Sequence, residues 1–298
     1  MSKPPFLTLP PGARAYRLAT SRGDFAVHDA GEPRAGTALL VPGFTGSKED
    51  FIALLAPLAR RGFRVVAVDG RGQHETGGPR DEAAYAQEEL ARDLLAQAAA
   101  LGGRIHLVGH SMGGLVARAA VLEDASPFAS LTIMSSGPAA IAPAQHVRTR
   151  RLIEALAVLD METVWRAMRE LDPPEADDEG TPPAVREFLH RRWLANVPEQ
   201  VVVTGRRLLI EPDRVDALAA VPLPKHVLSG EVDYAWPVPL MDEMARRLEA
   251  RRTVVEGAEH SPGAERPEET AAAMAAFWHD CPGRAAGTAP GTPANRPG

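Results

Sequence analysis

Ile105-His106-Leu107-Val108-Gly109-His110-Ser111-Met112-Gly113-Gly114-Leu115-Val116-Ala117-Arg118 is the stretch whose reading decides the fold. Its first part is an apolar run short enough for a buried strand. It stops at a glycine, and an Ala/Leu/Val pattern suited to a helix resumes directly after Ser111. Within it, Gly109-His110-Ser111-Met112-Gly113 has the form G-x-S-x-G. The two glycines lack the Cβ atoms that would clash if a serine were held in a strained strand-to-helix elbow. Such an elbow exposes the serine hydroxyl above a helix N-terminus. A bare G-x-S-x-G also arises as an ordinary glycine-rich turn, so the surrounding chain has to decide.

Upstream, residues 37–41 are apolar on both faces, as a buried parallel strand is, and end at Pro42-Gly43-Phe44-Thr45-Gly46-Ser47. Ser47 can cap a helix over 48–61 that Gly62 closes. A strand over 63–68 then runs into Asp69-Gly70-Arg71-Gly72-Gln73-His74, and the spacing of Tyr85, Leu90, Leu94 and Leu95 predicts an amphipathic helix over 82–101. Residues 15–20 and 24–29 pair as a hairpin across Ser21-Arg22-Gly23 and form an antiparallel edge. Downstream, strands are predicted over 131–134, 224–229 and 252–256, and helices over 112–123, 237–247 and 267–279. Residues 139–222 break this alternation with helical stretches at 150–159, 162–171, 183–196 and 199–210, and read as an inserted cap. The polar, proline-rich run from Asp172 to Gly180 is a mobile loop between cap helices, without the spacing of a calcium loop.

Three further stretches accompany the elbow in family order: the glycine turn at Gly43, Gly230-Glu231-Val232-Asp233 with Pro237 just beyond, and Gly257-Ala258-Glu259-His260. With them the sequence resembles the α/β-hydrolase superfamily, in its subgroup of single-domain serine hydrolases with a helical cap. The resemblance covers residues 15–279 and implies an α/β fold class. The sheet is then mostly parallel, eight-stranded and flanked by helices, with the cap inserted at about 139–222. An irregular N-terminal arm (1–14) and a disordered C-terminal tail (280–298) flank that domain.

The same resemblance assigns roles. Ser111 is the nucleophile, His260 the base and Asp233 the acid, selected over Glu231 by the family's G-x-x-D pattern. The oxyanion hole falls on the backbone N–H groups of Phe44 and Met112. A serine hydroxyl attacks only when a base takes its proton, and a histidine titrates near neutrality. A carboxylate on the other ring nitrogen fixes the tautomer and stabilises the imidazolium. Pro42 stands where the family usually has histidine, and because proline has no N–H this turn must be braced differently. Asp69 and Arg71 are implied to brace a turn of the D-x-R-G-x-G type. His74, where glycine is common, is a rim histidine, and His110 packs under the elbow. The turn Ser135-Ser136-Gly137-Pro138 offers no carboxylate, which leaves the later acid.

These assignments imply hydrolysis of a carboxylic ester, thioester or lactone of a small to medium, largely apolar molecule through an acyl-enzyme, without metal or organic cofactor. The same residues also support C–C bond hydrolysis, acyl transfer to another alcohol and cofactor-free perhydrolysis. A different class would be a ligand-sensing hydrolase-fold protein that signals through its cap. Epoxide hydrolases and haloalkane dehalogenases are disfavoured, since those relatives attack through an aspartate. Trp165, Met168, Phe188, Trp193 and Trp236, with Leu194, are the candidates for an apolar substrate pocket, although apolar residues at helical spacing serve a core as readily.

Composition narrows the partners. At 298 residues one elaborated domain accommodates the chain. A net charge of −6 and 5% aromatic residues argue against nucleic acid. Cys281 is the single cysteine, which excludes an intrachain disulfide and points to the cytoplasm. Prolines interrupt any apolar signal segment at the start, and no run approaches the roughly 18 apolar residues of a membrane span. A small-molecule acyl substrate is the expected partner, and the oligomeric state is left open.

Overall fold

The computed structural model describes residues 2–171 and 180–281. Most of the expected loop at 172–180 and nearly all of the expected tail lie outside the described residues. The eight expected strands form as β1 (Arg14–Thr20), β2 (Gly23–Ala30), β3 (Gly36–Val41), β4 (Phe63–Val68), β5 (Ile105–His110), β6 (Phe128–Met134), β7 (Lys225–Gly230) and β8 (Arg251–Val255). They join in one sheet in the order β1-β2-β4-β3-β5-β6-β7-β8. β2 runs antiparallel to β1 and β4, and the remaining pairings are parallel.

The central strands are apolar on both sides because both sides are covered. Leu39 and Val41 of β3 join the core built with α2 (Gln87–Leu101) and α3 (Met112–Glu123). Ala38 and Leu40 join the opposite core with α1 (Ile52–Arg60) and α11 (Pro267–Asp280). β4 divides in the same way, Val66 and Val68 from Val65 and Ala67, which is the two-residue period of a strand. Because β3 lies between β4 and β5, the chain leaves it on one side and returns on the other. Ligand crevices in open α/β sheets form at such a switch point, outside the carboxyl ends of the strands. The chain there is Pro42-Gly43-Phe44 after β3 and Ser111 after β5.

Between β6 and β7 stand α4 (Pro143–Leu156), α5 (Met161–Leu171), α6 (Pro183–Ala195), α7 (Pro198–Ile210) and the short α8 (Val215–Ala219), and α9 (Val238–Arg247) follows β7. α4 begins at Pro143 rather than Arg150, since proline at the first helical position starts a turn that an arginine-rich sequence hides from apolar periodicity. α8 is too short to show a period at all. The inserted helices share a small core of Leu156, Met161, Val164, Trp193, Val201 and Val202.

Two buried ion pairs tie this insert to the sheet. Arg192 Nη1 meets Asp50 Oδ1 at 2.6 Å, and Arg118 Nη2 meets Glu211 Oε1 at 2.7 Å. Arg192 also donates to the Ser2 carbonyl at 2.8 Å, which draws in the N-terminal arm. Removing one partner of such a pair strands a buried charge at a cost of roughly 3–5 kcal/mol.

His28, His106 and His226 are buried on strands away from Ser111. His106 bonds Ser130 Oγ at 2.8 Å and stacks on Trp278, while His226 bonds Thr253 Oγ1 at 2.9 Å. Burial pushes His28 and His106 from 6.5 down to about 4. It pushes His226 to about 3, helped by Arg251 and Arg252. The unfolded chain takes up these protons near pH 6.5 and the folded chain only near pH 4 or below, so unfolding binds protons in between and stability falls as pH drops through that window. The loss amounts to roughly 2 kcal/mol per histidine by pH 5. Urea midpoints at pH 7 and pH 5 should therefore differ less in a His106→Gln, His226→Gln double variant than in the wild type. Equal differences would show that these imidazoles do not drive acid destabilisation.

Candidate active site

The elbow forms because three glycines let backbones touch. Ser111 sits at φ 55°, ψ −123°, a strained conformation for a residue with a side chain, costing on the order of 1–3 kcal/mol. Its N–H donates to the Met134 carbonyl at 2.9 Å, which pins it to the end of β6. A Cβ on Gly109 would run into the Gly113 carbonyl. One on Gly113 would stand 2.5 Å from the carbonyl oxygens of Val41 and Pro42, and one on Gly114 would stand 2.6 Å from the Ser136 side chain.

The turn after β7 presents Asp233. Its Oδ1 accepts the N–H groups of Ala235 at 2.8 Å and Trp236 at 3.0 Å, so the carboxylate is oriented from behind. Its Oδ2 faces His260 Nδ1 at 2.8 Å, and His260 Nε2 stands 3.0 Å from Ser111 Oγ. A carboxylate only accepts, so the imidazole proton lies on Nδ1 and the lone pair of Nε2 faces the serine hydroxyl. Ser111, Asp233 and His260 are each only 8% exposed, which limits competition from water. Glu231 is engaged elsewhere, its Oε2 accepting the Gly257 N–H at 2.7 Å.

The histidine loop is braced by residues that sequence reading passed over. Glu265, at the end of α10 (Pro262–Glu265), accepts the N–H of Glu259 at 2.5 Å and of Ser261 at 3.2 Å, one on each side of His260. Glu265 stands four residues after Ser261, one beyond the spacing of a capping box, so no local motif marks it. His110 does pack under the elbow, with Nε2 donating to the His260 carbonyl at 2.8 Å and its ring edge-on to Phe51. Burial first, and then the nearby His260, push His110 down to about 4, so it stays neutral at pH 7. Tyr234 lies over His260 with ring centroids 4.7 Å apart, a contact no local pattern marks.

On the other flank, Gly43 lies so close that a Cβ there would stand 3.0 Å from Ser111 Cβ, which brings the Gly43–Phe44 backbone beside the nucleophile. Met112 opens α3, and the first N–H groups of a helix have no intrahelical acceptor. Asp69 and Arg71 are braces: Asp69 accepts from Lys48 N at 2.7 Å and Lys48 Nζ at 3.0 Å, and Arg71 Nε donates to Asp93 at 2.7 Å. His74 has φ 38°, the conformation that makes glycine common there. It turns inward, edge-on to Phe188 of the cap at 5.5 Å, rather than out to a rim.

The expected pocket residues require correction. Trp193 is 1% exposed within the cap's own core, its Nε1 donating to the Met161 carbonyl at 2.7 Å. Trp236 is fully buried, with Nε1 donating to the carbonyls of Ala139 at 2.9 Å and Ala140 at 3.2 Å. Indoles so enclosed present no surface to a substrate. Phe188 packs with Val185 and Leu189, and Trp165 and Met168 lie against the cap core, Trp165 stacked on His190. Leu194 is 39% exposed on the cap surface. A cavity of about 510 Å³ lies beside α3, lined among others by Met112, Leu115, Val116, Val203, Arg206 and Ile210. Neither the five expected residues nor Ser111, Asp233 and His260 line it. Among the described residues no group of three or more His, Cys, Asp or Glu side chains is placed to hold a metal ion. No helix among them is long and apolar enough to cross a membrane.

Residues 38–273 match the model of a family described as "Alpha/beta hydrolase family". The chain belongs to the alpha/beta hydrolase family. Within it, this hydrolase is 30% identical over 230 residues to a pimeloyl-[acyl-carrier protein] methyl ester esterase of Aeromonas hydrophila, covering 72% of this chain and 85% of the relative. It is 31% identical over 144 residues to an epoxide hydrolase A of Mycobacterium tuberculosis, across 47% of this chain and 45% of that one. A thermophilic esterase from Thermogutta terrifontis superposes with a TM-score of 0.71 at 27% identity, covering 89% of this chain and 97% of the esterase.

The elbow's tight packing yields a test. Gly113→Ala puts a methyl group against two backbone carbonyls that cannot rotate away, whereas a Cβ on Gly180, which is not among the positive-φ glycines, meets nothing within 4 Å. By denaturant titration, Gly113→Ala should cost about 3 kcal/mol, the upper end for an overpacked site, and Gly180→Ala no more than about 0.5 kcal/mol.

Proposed function

We propose that this hydrolase cleaves a carboxylic ester, thioester or lactone of a compact, largely apolar molecule through an acyl-enzyme on Ser111. The observation that carries this reading is the hydrogen-bonded chain Ser111 Oγ, His260, Asp233, with spacings of 3.0 and 2.8 Å, at a serine held in a strained elbow. In the proposed reaction His260 Nε2 takes the hydroxyl proton as Oγ attacks the carbonyl carbon, and then gives it to the departing alcohol. Asp233 stabilises the imidazolium in between. The carbonyl oxygen, negative in the tetrahedral intermediate, receives the N–H groups of Phe44 and Met112, a type of contact worth a few kcal/mol. Water then repeats the sequence on the acyl-enzyme. A serine at the elbow favours this course over attack through an aspartate. The esterase relatives at 30% and 27% identity support ester chemistry as the first choice.

Substrate size is inferred from enclosure. The reacting groups are nearly buried, which suits a compact ligand better than a long chain lying along an open groove. The single cysteine suits a reducing compartment, so the proposed setting is the cytoplasm.

Ser111→Ala should abolish turnover of p-nitrophenyl butyrate and labelling by a fluorophosphonate, with the melting temperature little changed. Wild-type turnover in that variant would sink the serine mechanism. Asp233→Asn should lower kcat by about 10⁴, because an amide can hold the wrong imidazole tautomer, while Glu231→Gln should leave kcat within about threefold. A comparable loss from both would move the acid. Across acyl chains from two to sixteen carbons, kcat/KM should peak at short to medium lengths, and a steady rise to the longest chain would contradict the compact site.

A further inference from the structure

The Gly43–Phe44 peptide carries two groups: the Phe44 N–H, assigned above to the oxyanion hole, and the Gly43 carbonyl. No cis peptide bond occurs among the described residues, so the two groups point in opposite directions across a rigid plane. Whatever grips the carbonyl therefore sets the direction of the N–H.

That grip comes from Gln73, in the turn after β4. Its Nε2 donates to the Gly43 carbonyl at 2.9 Å, while its Oε1 accepts the Gly70 N–H at 3.0 Å. The two bonds fix the amide's orientation, since a flipped amide would set NH₂ against the Gly70 N–H and oxygen against oxygen at Gly43. At 2% exposure the side chain is sheltered from water. A Cβ on Gly70 would stand 2.6 Å from Gln73 Oε1, so the glycine leaves room for this amide.

The turn also needs an outside support. Thr45 lies at φ 56°, a strained left-handed conformation that persists only where the surroundings hold it. The Gly46 N–H reaches the same Gly43 oxygen at 3.1 Å, but that bond is internal to the turn. Pro42 contributes no N–H. Gln73 is the group that anchors the turn to a different strand end, and a donor on the carbonyl also polarises the amide and strengthens its N–H.

We infer that Gln73 is the positioning residue of the oxyanion hole: by donating to the Gly43 carbonyl it aims the Phe44 N–H at the oxygen that becomes negative when Ser111 attacks. This rests on the acyl-transfer reading above. Gln73 itself touches no reacting atom and acts through Phe44.

Two variants separate this from a structural role. Gln73→Glu keeps the length and the acceptor for Gly70 but sets a carboxylate oxygen against the Gly43 carbonyl. Gln73→Met keeps the length and removes both bonds. With p-nitrophenyl butyrate, kcat should fall about 10- to 100-fold in each, less than the 10²–10³ typical of deleting a donor outright, with KM within about threefold. The inhibition constant of a matching trifluoromethyl ketone, whose hemiketal oxygen occupies the oxyanion hole, should rise by the same factor. The ratio of Gln73→Glu to wild-type kcat should climb as pH is lowered, because a protonated carboxyl regains an O–H donor for Gly43. Unchanged kcat and ketone affinity in either folded variant, or a loss confined to KM, overturns the inference.

Should neither variant fold, a crystal structure of the wild-type ketone adduct decides. The hemiketal oxygen must lie within hydrogen-bond distance of Phe44 N while Gln73 Nε2 stays on the Gly43 oxygen, and a displaced Gln73 overturns the inference. A wild-type protein that neither turns over the ester nor is trapped by the ketone at Ser111 overturns the acyl-transfer reading instead.

Discussion

The left-handed backbone of Ser111 is the constraint on which the rest of the site depends. At φ 55° the residue cannot continue β5 and cannot yet belong to α3, so its side chain projects from the corner between them. That corner exists because Gly113 lets α3 press against the carbonyls of Val41 and Pro42 and because Gly114 admits Ser136 from the turn after β6. Three strand ends are thereby drawn within contact of one serine. The conformation is unfavourable in itself, and the close packing of backbone on backbone holds it.

The ends of β3, β7 and β8 supply one functional group each, and each group is held by a brace. Asp233 is oriented by two backbone N–H groups, His260 by Glu265 on its flanks and His110 beneath it, and the Gly43–Phe44 peptide by Gln73. None of the bracing side chains lies in the direct line of proton transfer. Polar groups so buried are costly without partners and directional with them. The charged cluster of Lys48, Glu49 and Asp69 beside the oxyanion turn follows the same rule, with Lys48 Nζ at 2.9 Å from Glu49 and 3.0 Å from Asp69. Burial alone would disfavour the ammonium, but its carboxylate neighbours outweigh that and its pKa rises.

Legibility in the sequence tracked the range over which each feature is determined. The central strands came out within a few residues because a parallel strand covered on both faces is a continuous apolar run whatever it packs against. The elbow was legible because its geometry is demanded within five consecutive residues. The pocket was not. Trp193 and Trp236 carry the same signal as pocket residues would, large apolar groups near the right strand ends, yet their indole N–H groups bond Met161, Ala139 and Ala140 and their rings close cores. Helical periodicity shows that a face is apolar and says nothing of whether a neighbour or a ligand covers it.

By itself the sequence determined the order of strands and helices, the strained serine turn and the chain order of serine, acid and histidine, since each depends on residues adjacent in the chain. Only the tertiary structure decided which side chains aim those groups. Gln73 reaches Gly43 across 30 positions, and His110 reaches the carbonyl of His260 across 150. Those pairings exist because the sheet order sets β4 and β5 on either side of β3 and brings distant turns to one crevice. A hydrogen bond acts over about 3 Å, so its partners become known only when the fold has placed them.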